Sequence, residues 1–216
     1  PRCVGCQEGG GWFWEGCQDG VSPVEPPLCP RCGRGVRGLN SRRCHSCRGR
    51  TFQVQQIRSV AYSEGVLREA IHAFKYDGIT ALAAPLADLM ADYWKDHPMA
   101  IDVAVPVPLH RSRERGRGFN QAVHLARELS ARVGITVDEG ILMRHRRTAA
   151  QVSLDVTERQ RNVRDAFTCV GQGAAGKDVL LIDDVCTTGS TLEACAVALR
   201  RGGARSVRAL TLARAR

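Results

Sequence analysis

Apolar side chains recur at helical spacing in four stretches after residue 60. Residues 64–78, "EGVLREAIHAFKYDG", and residues 81–95 place them at the i, i+3 and i+4 positions of one helix face. Residues 120–134 and 191–203 repeat this spacing and end in glycine, a common helix stop. The pattern predicts four amphipathic helices, each of which buries one face against a core.

Short apolar runs stand between these helices and predict strands. In chain order they cover residues 100–109, 135–144, 178–182 and 206–213. Strands that alternate with helices need crossover connections, which place helices on both faces of a parallel sheet. The sequence therefore predicts an α/β fold with a mainly parallel, doubly wound sheet.

The first part of the chain lacks this periodicity and is rich in cysteine and arginine. We expect a Cys-rich module at residues 1–55 and an α/β domain at residues 56–216, with the boundary near residues 53–59. The hydrophobic content of 44% is ordinary for a globular protein. No apolar run approaches the ~20 residues that cross a bilayer. The first residues also lack the basic start and apolar stretch of a secretion signal, so we expect a cytoplasmic protein without a membrane span.

Seven of the ten cysteines lie within the first 47 residues, and six of these seven form three Cys-x-x-Cys pairs. In a reducing compartment this spacing indicates a metal site, because both thiolates of a pair can reach one ion. Two of the pairs predict a structural Zn²⁺ site with four sulfur ligands, Cys29, Cys32, Cys44 and Cys47. A second zinc would need His45, a shared pair or another fourth ligand beside Cys3, Cys6 and Cys17.

Positive charge is concentrated in the same region. Residues 26–60 contain eight arginines and no acidic residue, whereas the whole chain has a net charge of +9. Such a cluster is typical of a contact with nucleic acid, for which single-stranded DNA is a candidate. Alternatively, the arginines balance the net charge of about −2 that four thiolates leave around Zn²⁺.

The stretch "VLLIDDVCTTGST", residues 179–191, runs from a buried strand into two acids and then into a loop of small hydroxyl residues. Ligands gather at the carboxyl ends of parallel strands, where Asp183 and Asp184 can accept hydrogen bonds from a sugar diol. The loop that follows leads into a predicted helix, and its N–H groups and hydroxyls can surround a phosphate. The stretch predicts a site for a phosphorylated ribose, and the alternative is a capped helix start with solvated acids. The loop residues are Thr187, Thr188, Gly189, Ser190 and Thr191.

These thirteen residues resemble the phosphoribosyl pyrophosphate (PRPP) binding motif of type I phosphoribosyltransferases. Residues 74–78 ("FKYDG"), residues 105–126 and 146–167, and the N-terminal cysteines are similar, in that order, to the ComF family. The resemblance covers essentially the whole chain. One departure is "CQDG" at residues 17–20, where the family pattern has another Cys-x-x-Cys.

The resemblance implies a type I phosphoribosyltransferase fold with an N-terminal zinc module, and PRPP bound with Mg²⁺. It assigns the ribose hydroxyls to the acid pair and the 5′-phosphate to the loop after it. The pyrophosphate loop corresponds to Pro106, Val107, Pro108 and Leu109, and the phosphate donors to Arg115, Arg117 and Asn120. Arg147, Thr148 and Gln151 fall where such enzymes carry a lid, whereas we interpret Lys75 as a solvated lysine at a helix end.

No segment of the sequence indicates the acceptor. The resemblance implies a role in DNA uptake during natural transformation, with a competence helicase as a partner. The first hypothesis is therefore a Mg²⁺-dependent phosphoribosyltransferase with an unknown acceptor. The alternatives are a non-catalytic PRPP-binding or single-stranded-DNA-binding accessory factor in competence, and a phosphoribosyltransferase of nucleotide salvage.

Overall fold

The computed structural model describes residues 1–36, 43–146 and 165–216. The strands are β1 (Gln56–Tyr62), β2 (Val103–Pro106), β3 (Leu142–Arg144), β4 (Phe167–Cys169), β5 (Asp178–Cys186) and β6 (Ser206–Arg214). Four of them form a parallel sheet in the order β1-β6-β5-β2, and β3 and β4 pair separately as an antiparallel ribbon.

Helices follow most strands and pack against the sheet. They are α1 (Glu15–Gln18), α2 (Gly65–Tyr76), α3 (Ala83–Asp96), α4 (Arg111–Arg117), α5 (Gln121–Val133) and α6 (Ser190–Arg201), with short 3₁₀ turns at His45–Cys47 and Thr80–Leu82. The four predicted amphipathic helices correspond to α2, α3, α5 and α6. Among the described residues, none of the helices has the length and apolar character that a bilayer crossing requires.

The core has two layers because successive strand residues face opposite sides of the sheet. In β5, Leu180 and Ile182 pack with α2, α3 and α5, whereas Val179 and Leu181 pack with α6 and with β3 and β4. Each fully buried leucine or isoleucine contributes about 1.5–3 kcal/mol to stability. Helices on both faces of a parallel sheet confirm the predicted fold class.

Two predicted strands differ from the observed ones. The run at residues 178–182 continues to Cys186, because Val185 and Cys186 still pair with Ala213 and Arg214 of β6. The acid pair therefore lies within the paired part of β5, near its carboxyl end, and not after the strand. The stretch at residues 135–144 is strand only in its last three residues, which pair with β4.

The sheet begins inside the stretch where the sequence predicted a boundary. As an edge strand, β1 offers unpaired backbone groups, and the Cys-rich module covers them. Ile57 N donates to Arg31 O (2.6 Å), and Tyr62 N donates to Ser22 O (2.8 Å). Val60 O accepts from Val24 N at 3.0 Å. The module is thus held along the free edge of the sheet, and a division between residues 55 and 56 stays a prediction.

Candidate functional site

The two adjacent acids near the end of β5 have different partners. The Asp184 carboxylate pairs with Lys75 Nζ at 2.8 Å, and the side chains are only 12% and 17% exposed. Lys75 lies in the last turn of α2, so the helix delivers this cation to the carboxyl end of the sheet. The interpretation of Lys75 as a solvated side chain is therefore wrong. The composition offered a signal that Lys75 is more than a surface charge. Lysine is rare in this chain, with three lysines among 31 basic residues.

Asp183 lies next to this ion pair in a setting that opposes its ionisation. Burial, and then the negative charge of Asp184, raise the pKa of Asp183 to about 7, although the positive charges of Lys75 and Arg144 act in the other direction. Its Oδ1 accepts a hydrogen bond from the Asp184 backbone N–H at 2.9 Å. The pair can therefore hold a proton near neutral pH. It can accept hydrogen bonds from the hydroxyl groups of a ligand or donate one to them.

The loop after β5 is folded tightly at the start of α6. Thr188 Oγ1 lies 2.7 Å from Ser190 Oγ and accepts from the Ser190 backbone N–H at 3.3 Å. Gly189 has a left-handed φ of +79°, and a Cβ at this position would lie 3.0 Å from Ile57 Cδ1. The backbone conformation thus favours glycine, and a Cβ here would also require the Ile57 side chain to shift. The first N–H groups of a twelve-residue helix face this loop, which is an arrangement that favours anions.

The turn after β2 lies beside the acid pair. Val107 N donates to Ile182 O at 2.9 Å, which places the turn next to the residue before Asp183. Asn120 Nδ2 donates to Val107 O at 3.1 Å, and Asn120 Oδ1 accepts from Ala122 N at 3.0 Å. Asn120 therefore caps α5 and fixes the turn, which is a positioning role. Pro106 is buried in the strand, and Pro108 and Leu109 are half-buried.

The two arginines of α4 that the sequence predicted as phosphate donors, Arg115 and Arg117, occupy different settings. Arg117 Nη1 donates to Gln121 Oε1 at 3.0 Å, and its guanidinium lies 5.0 Å from the ring centroid of Tyr76. Tyr76 is exposed and also contacts His72, with the ring centroids 4.8 Å apart. Arg115 is exposed to solvent. The ends of α2 and α4 thus meet, whereas the predicted lid residues Arg147, Thr148 and Gln151 lie outside the described residues.

Four thiols of the Cys-rich module form a compact group. The Sγ atoms of Cys29, Cys32, Cys44 and Cys47 all lie within 4.8 Å of one another and could hold a metal ion. Burial opposes ionisation of Cys29, but backbone N–H donors, among them Cys44 N at 3.4 Å, outweigh it and lower the pKa of Cys29 to about 6. A thiol that ionises near neutral pH is prepared for metal binding. The structure thus brings together the predicted four-cysteine set.

A second group contains Cys3, Cys6 and Cys17, whose Sγ atoms also lie within 4.8 Å of one another. Burial opposes ionisation of Cys3, but backbone N–H groups, with that of Trp14 the strongest, lower its pKa to about 7. Among the described residues, His45 belongs to neither group. This second set could hold a metal ion as well, with three protein sulfurs.

The chain is similar in sequence to known proteins. A family model described as "Phosphoribosyl transferase domain" matches residues 115–216. DNA utilization protein YhgH of Salmonella typhi is 34% identical over 193 residues, which cover 87% of this chain and 84% of that protein. Competence protein ComFC of Bacillus subtilis (strain 168) is 31% identical over 209 residues, which cover 92% of this chain and 82% of that protein.

A solved structure also aligns with part of the chain. It is the glutamine PRPP amidotransferase from B. subtilis complexed with ADP and GMP, with a TM-score of 0.44 and 20% identity over 61% of this chain and 27% of that chain. The assignment of the family rests on the sequence relatives, which extend across both the Cys-rich module and the sheet. With these relatives at more than 30% identity and a phosphoribosyl transferase domain at its C-terminal half, the chain belongs to the ComF family.

Proposed function

We propose that this protein is a Mg²⁺-dependent phosphoribosyltransferase that binds PRPP at the carboxyl ends of β2 and β5. The observation that carries this proposal is the buried Lys75–Asp184 pair beside Asp183, immediately before a phosphate-type loop at the start of α6. A carboxylate pair supports binding of a sugar diol, and the start of a long helix supports binding of a phosphate. The acid pair and the start of the helix both lie within the eight residues from Asp183 to Ser190.

Each part of PRPP has a place in this arrangement. The 5′-phosphate binds at the start of α6, where the N–H groups and the hydroxyls of Thr188 and Ser190 surround it. Asp183 and Asp184 hold the ribose hydroxyls. The diphosphate lies at the turn after β2, whose shape is fixed by Asn120. Arg115 on α4 is exposed to solvent and is free to approach the diphosphate from that side.

The acid pair has the chemistry that Mg²⁺ requires. Two adjacent carboxylates offer hard oxygen ligands, and the single cation of Lys75 leaves the pair with excess negative charge. When bound, Mg²⁺ neutralises charge on the departing pyrophosphate. The chain's own groups orient the ribose so that its anomeric carbon faces the acceptor, and Asp183 and Asp184 stabilise positive charge that develops on the ring.

The metal of the Cys-rich module has a structural role in this proposal. We propose that Cys29, Cys32, Cys44 and Cys47 hold one Zn²⁺ and that Cys3, Cys6 and Cys17 form a second, weaker site. Arg214 Nη1 donates to Cys32 O at 2.7 Å, which ties the first zinc site to the end of β6. The zinc therefore stabilises the surface that lies next to the PRPP loop.

The relatives' names support a role in DNA use. One is named a DNA utilization protein and another a competence protein, and the module of this chain exposes Arg43, Arg48 and Arg50. We propose that these arginines contact single-stranded DNA and that a helicase of competence is a partner. Arg37 and Arg42 lie outside the described residues. Binding that falls steeply with salt concentration is the expected signature of such a contact.

Calorimetry with PRPP and Mg²⁺ tests the central proposal. Wild-type protein is expected to bind PRPP, and Asp184→Asn is expected to lose binding because it removes one of the two carboxylates. Asp92→Asn is the matched control, since Asp92 pairs with Lys95 at 2.7 Å on the exposed side of α3. Absence of PRPP binding by the wild type contradicts the proposal.

Pyrophosphate release on the same samples separates the enzyme from the accessory factor. A cell extract supplies acceptors, and release that requires both extract and Asp184 establishes transfer. Binding without release under these conditions supports the alternative of a non-catalytic PRPP-binding factor.

A further inference from the structure

A cavity of about 460 Å³ lies between the Cys-rich module and α6. Its walls include Arg31 and Cys32 from the module, Gly189 and Ser190 from the phosphate loop, and Arg214 from the end of β6. The volume falls within the ~300–1,000 Å³ range of small-molecule sites. Because the cavity shares Thr188, Gly189 and Ser190 with the loop, a molecule inside it would lie next to the proposed position of the 5′-phosphate of PRPP.

Two arginines in the wall have buried nitrogens that lack a hydrogen-bond partner among the described residues. Arg214 is 2% exposed, and its Nη1 donates to Cys32 O at 2.7 Å while its Nε has no partner. Arg31 Nη1 donates to Val54 O at 2.8 Å, and its Nε is likewise buried without a partner. Both guanidinium groups bond to neutral carbonyl oxygens. Buried positive charge of this kind favours an anionic ligand.

The carboxylates in the wall do not balance these arginines. Five arginines line the cavity, but only two acidic residues do. Glu193 accepts hydrogen bonds from the backbone N–H groups of Gln53 (2.7 Å) and Val54 (3.1 Å). Asp165 pairs with Arg201 at 3.3 Å. Both carboxylates are therefore engaged. Cys32 and Cys47 also line the cavity, and the net charge of about −2 of their proposed zinc site offsets part, but not all, of the remaining positive charge.

An aromatic ring lies close to two guanidinium groups in the same wall. The Cζ atoms of Arg31 and Arg50 lie 4.9 Å and 5.0 Å from the ring centroid of Phe52. Arg50 is exposed and can move aside or stack in turn. Flat groups of this type bind planar rings by stacking. The cavity thus combines a site for an anion with a site for a ring.

We propose that this cavity binds a mononucleotide. Its phosphate pairs with Arg31 and Arg214, and its base stacks against Phe52. Among the described residues, the cavity is lined by the loop at the start of α6 and not by the acid pair or the turn after β2, so the nucleotide lies beside the 5′-phosphate of PRPP. This placement relative to PRPP rests on the proposed PRPP site.

Calorimetry with deoxyadenosine monophosphate and with deoxyadenosine tests the site on the full, zinc-loaded chain. The wild type is expected to bind the monophosphate at least about 10-fold more tightly than the neutral nucleoside, because only the monophosphate pairs with the arginines. Arg31→Gln and Phe52→Leu are expected to weaken binding of the monophosphate about 10-fold or more. Arg127→Gln is the matched control, since Arg127 pairs with Glu139 on the surface at 2.6 Å. Because Arg214→Gln removes the bond to Cys32 O, its zinc content is measured before its affinity is interpreted.

Titration of PRPP and Mg²⁺ into the same variants separates the two proposals. Arg31→Gln is expected to keep wild-type affinity for PRPP, and the monophosphate is expected to bind when PRPP is already present. Mutual exclusion of the two ligands, or loss of both in Arg31→Gln, makes the cavity part of the PRPP site and overturns the inference. Binding of PRPP but not of the monophosphate also overturns it and leaves the PRPP proposal intact.

Two further outcomes have a defined meaning. Monophosphate binding that depends on Arg31 in a protein that does not bind PRPP supports the nucleotide site and contradicts the PRPP proposal. Binding of a single-stranded oligonucleotide, but of no mononucleotide, overturns the inference in favour of a contact with a DNA strand.

Discussion

The two ends of β5 carry aspartates in opposite electrostatic settings. At the amino end, Asp178 accepts hydrogen bonds from Arg205 Nε at 3.1 Å and from Ser206 Oγ at 2.6 Å. These two partners, with Arg205 the stronger, hold the pKa of Asp178 down to about 2. At the carboxyl end, burial and the charge of Asp184 raise the pKa of Asp183 to about 7.

The difference separates a charge that stabilises the fold from a charge for which we propose a ligand. Ligands of parallel sheets gather at the carboxyl ends of the strands, so charges at the amino ends can pair within the protein. Two adjacent acids that share the single cation of Lys75 cost stability, and such perturbed groups cluster at functional sites. The same residue type on one strand is thus used for folding at one end and is proposed for binding at the other.

Removal of metal from the Cys-rich module is expected to have the largest effect. It should leave the amino end of β5 unchanged. Binding of structural zinc contributes about 10–16 kcal/mol to the folding of small zinc modules. Chelation should therefore increase hydrogen exchange at the Ile57 and Tyr62 amides, whose acceptors lie in the module. The Asp178 amide, which donates to Asp102 Oδ2 at 2.7 Å, should keep its protection.

Hydrogen exchange measured by mass spectrometry checks this expectation, and added Zn²⁺ should restore the original rates. Equal exchange of β1 before and after chelation contradicts a structural metal in the module.

Replacement of the cation at each end of β5 sharpens the comparison. Lys75→Met leaves Asp184 without its partner at a mostly buried position, and the free energy of unfolding should fall by about 3 kcal/mol. Arg205→Met removes a more exposed cation and should cause only a small decrease. Urea unfolding measures both variants. Lys95→Met, at an exposed pair, is the control, and equal losses for Lys75→Met and Lys95→Met contradict a special role for the carboxyl end.

Much of the sheet and of its helices could be predicted because long amphipathic stretches carry a strong apolar period. The edge strand β1 could not, since its inward positions are Ile57, Ser59 and Ala61, with only one large apolar side chain. The polar side chain of Ser59 can be buried because its hydroxyl forms a hydrogen bond of 2.7 Å with Thr211 Oγ1 of β6. That partner is far away in the sequence, so a local pattern of hydrophobicity does not identify the strand. Helix α4 was missed for a related reason, as its exposed arginines show no apolar period.

The candidate site divides in the same way. The acid pair, the loop at residues 187–191 and the four cysteines are each contiguous or regularly spaced, so the sequence alone brings them forward as candidates. Lys75 acts on Asp184 only through the packing of α2 on the sheet. Asn120 reaches Val107 O through the fold, and Arg214 reaches Cys32 O across most of the chain. Contacts of this kind depend on tertiary structure, and no local motif reports them.

The pH dependence of stability should differ in sign between the two aspartates. A carboxyl group whose pKa is raised on folding binds its proton more tightly in the folded state, so Asp183 destabilises the protein as pH rises from about 4 to about 7. Asp183→Asn should remove this loss, and its stability relative to the wild type should therefore increase across the same interval. Thermal unfolding at several pH values measures the difference. A difference that does not change between pH 4 and pH 7 contradicts the raised pKa.

The smallest expected effect belongs to Asp178 and has the opposite direction. Its pKa is lowered on folding, so its contribution to stability is present above about pH 4 and is lost as pH falls towards 2. Asp178→Asn should lower the melting temperature slightly at pH 5, and the gap to the wild type should shrink as the pH is lowered to 3. Arg205→Gln should lower the melting temperature at least as much, because Arg205 also pairs with Asp102 at 3.1 Å. The double variant should lose less than the sum of the two single losses, because both substitutions remove the Arg205–Asp178 ion pair. Additive losses would instead mean that Arg205 acts through Asp102 and that Ser206 is the partner that matters to Asp178.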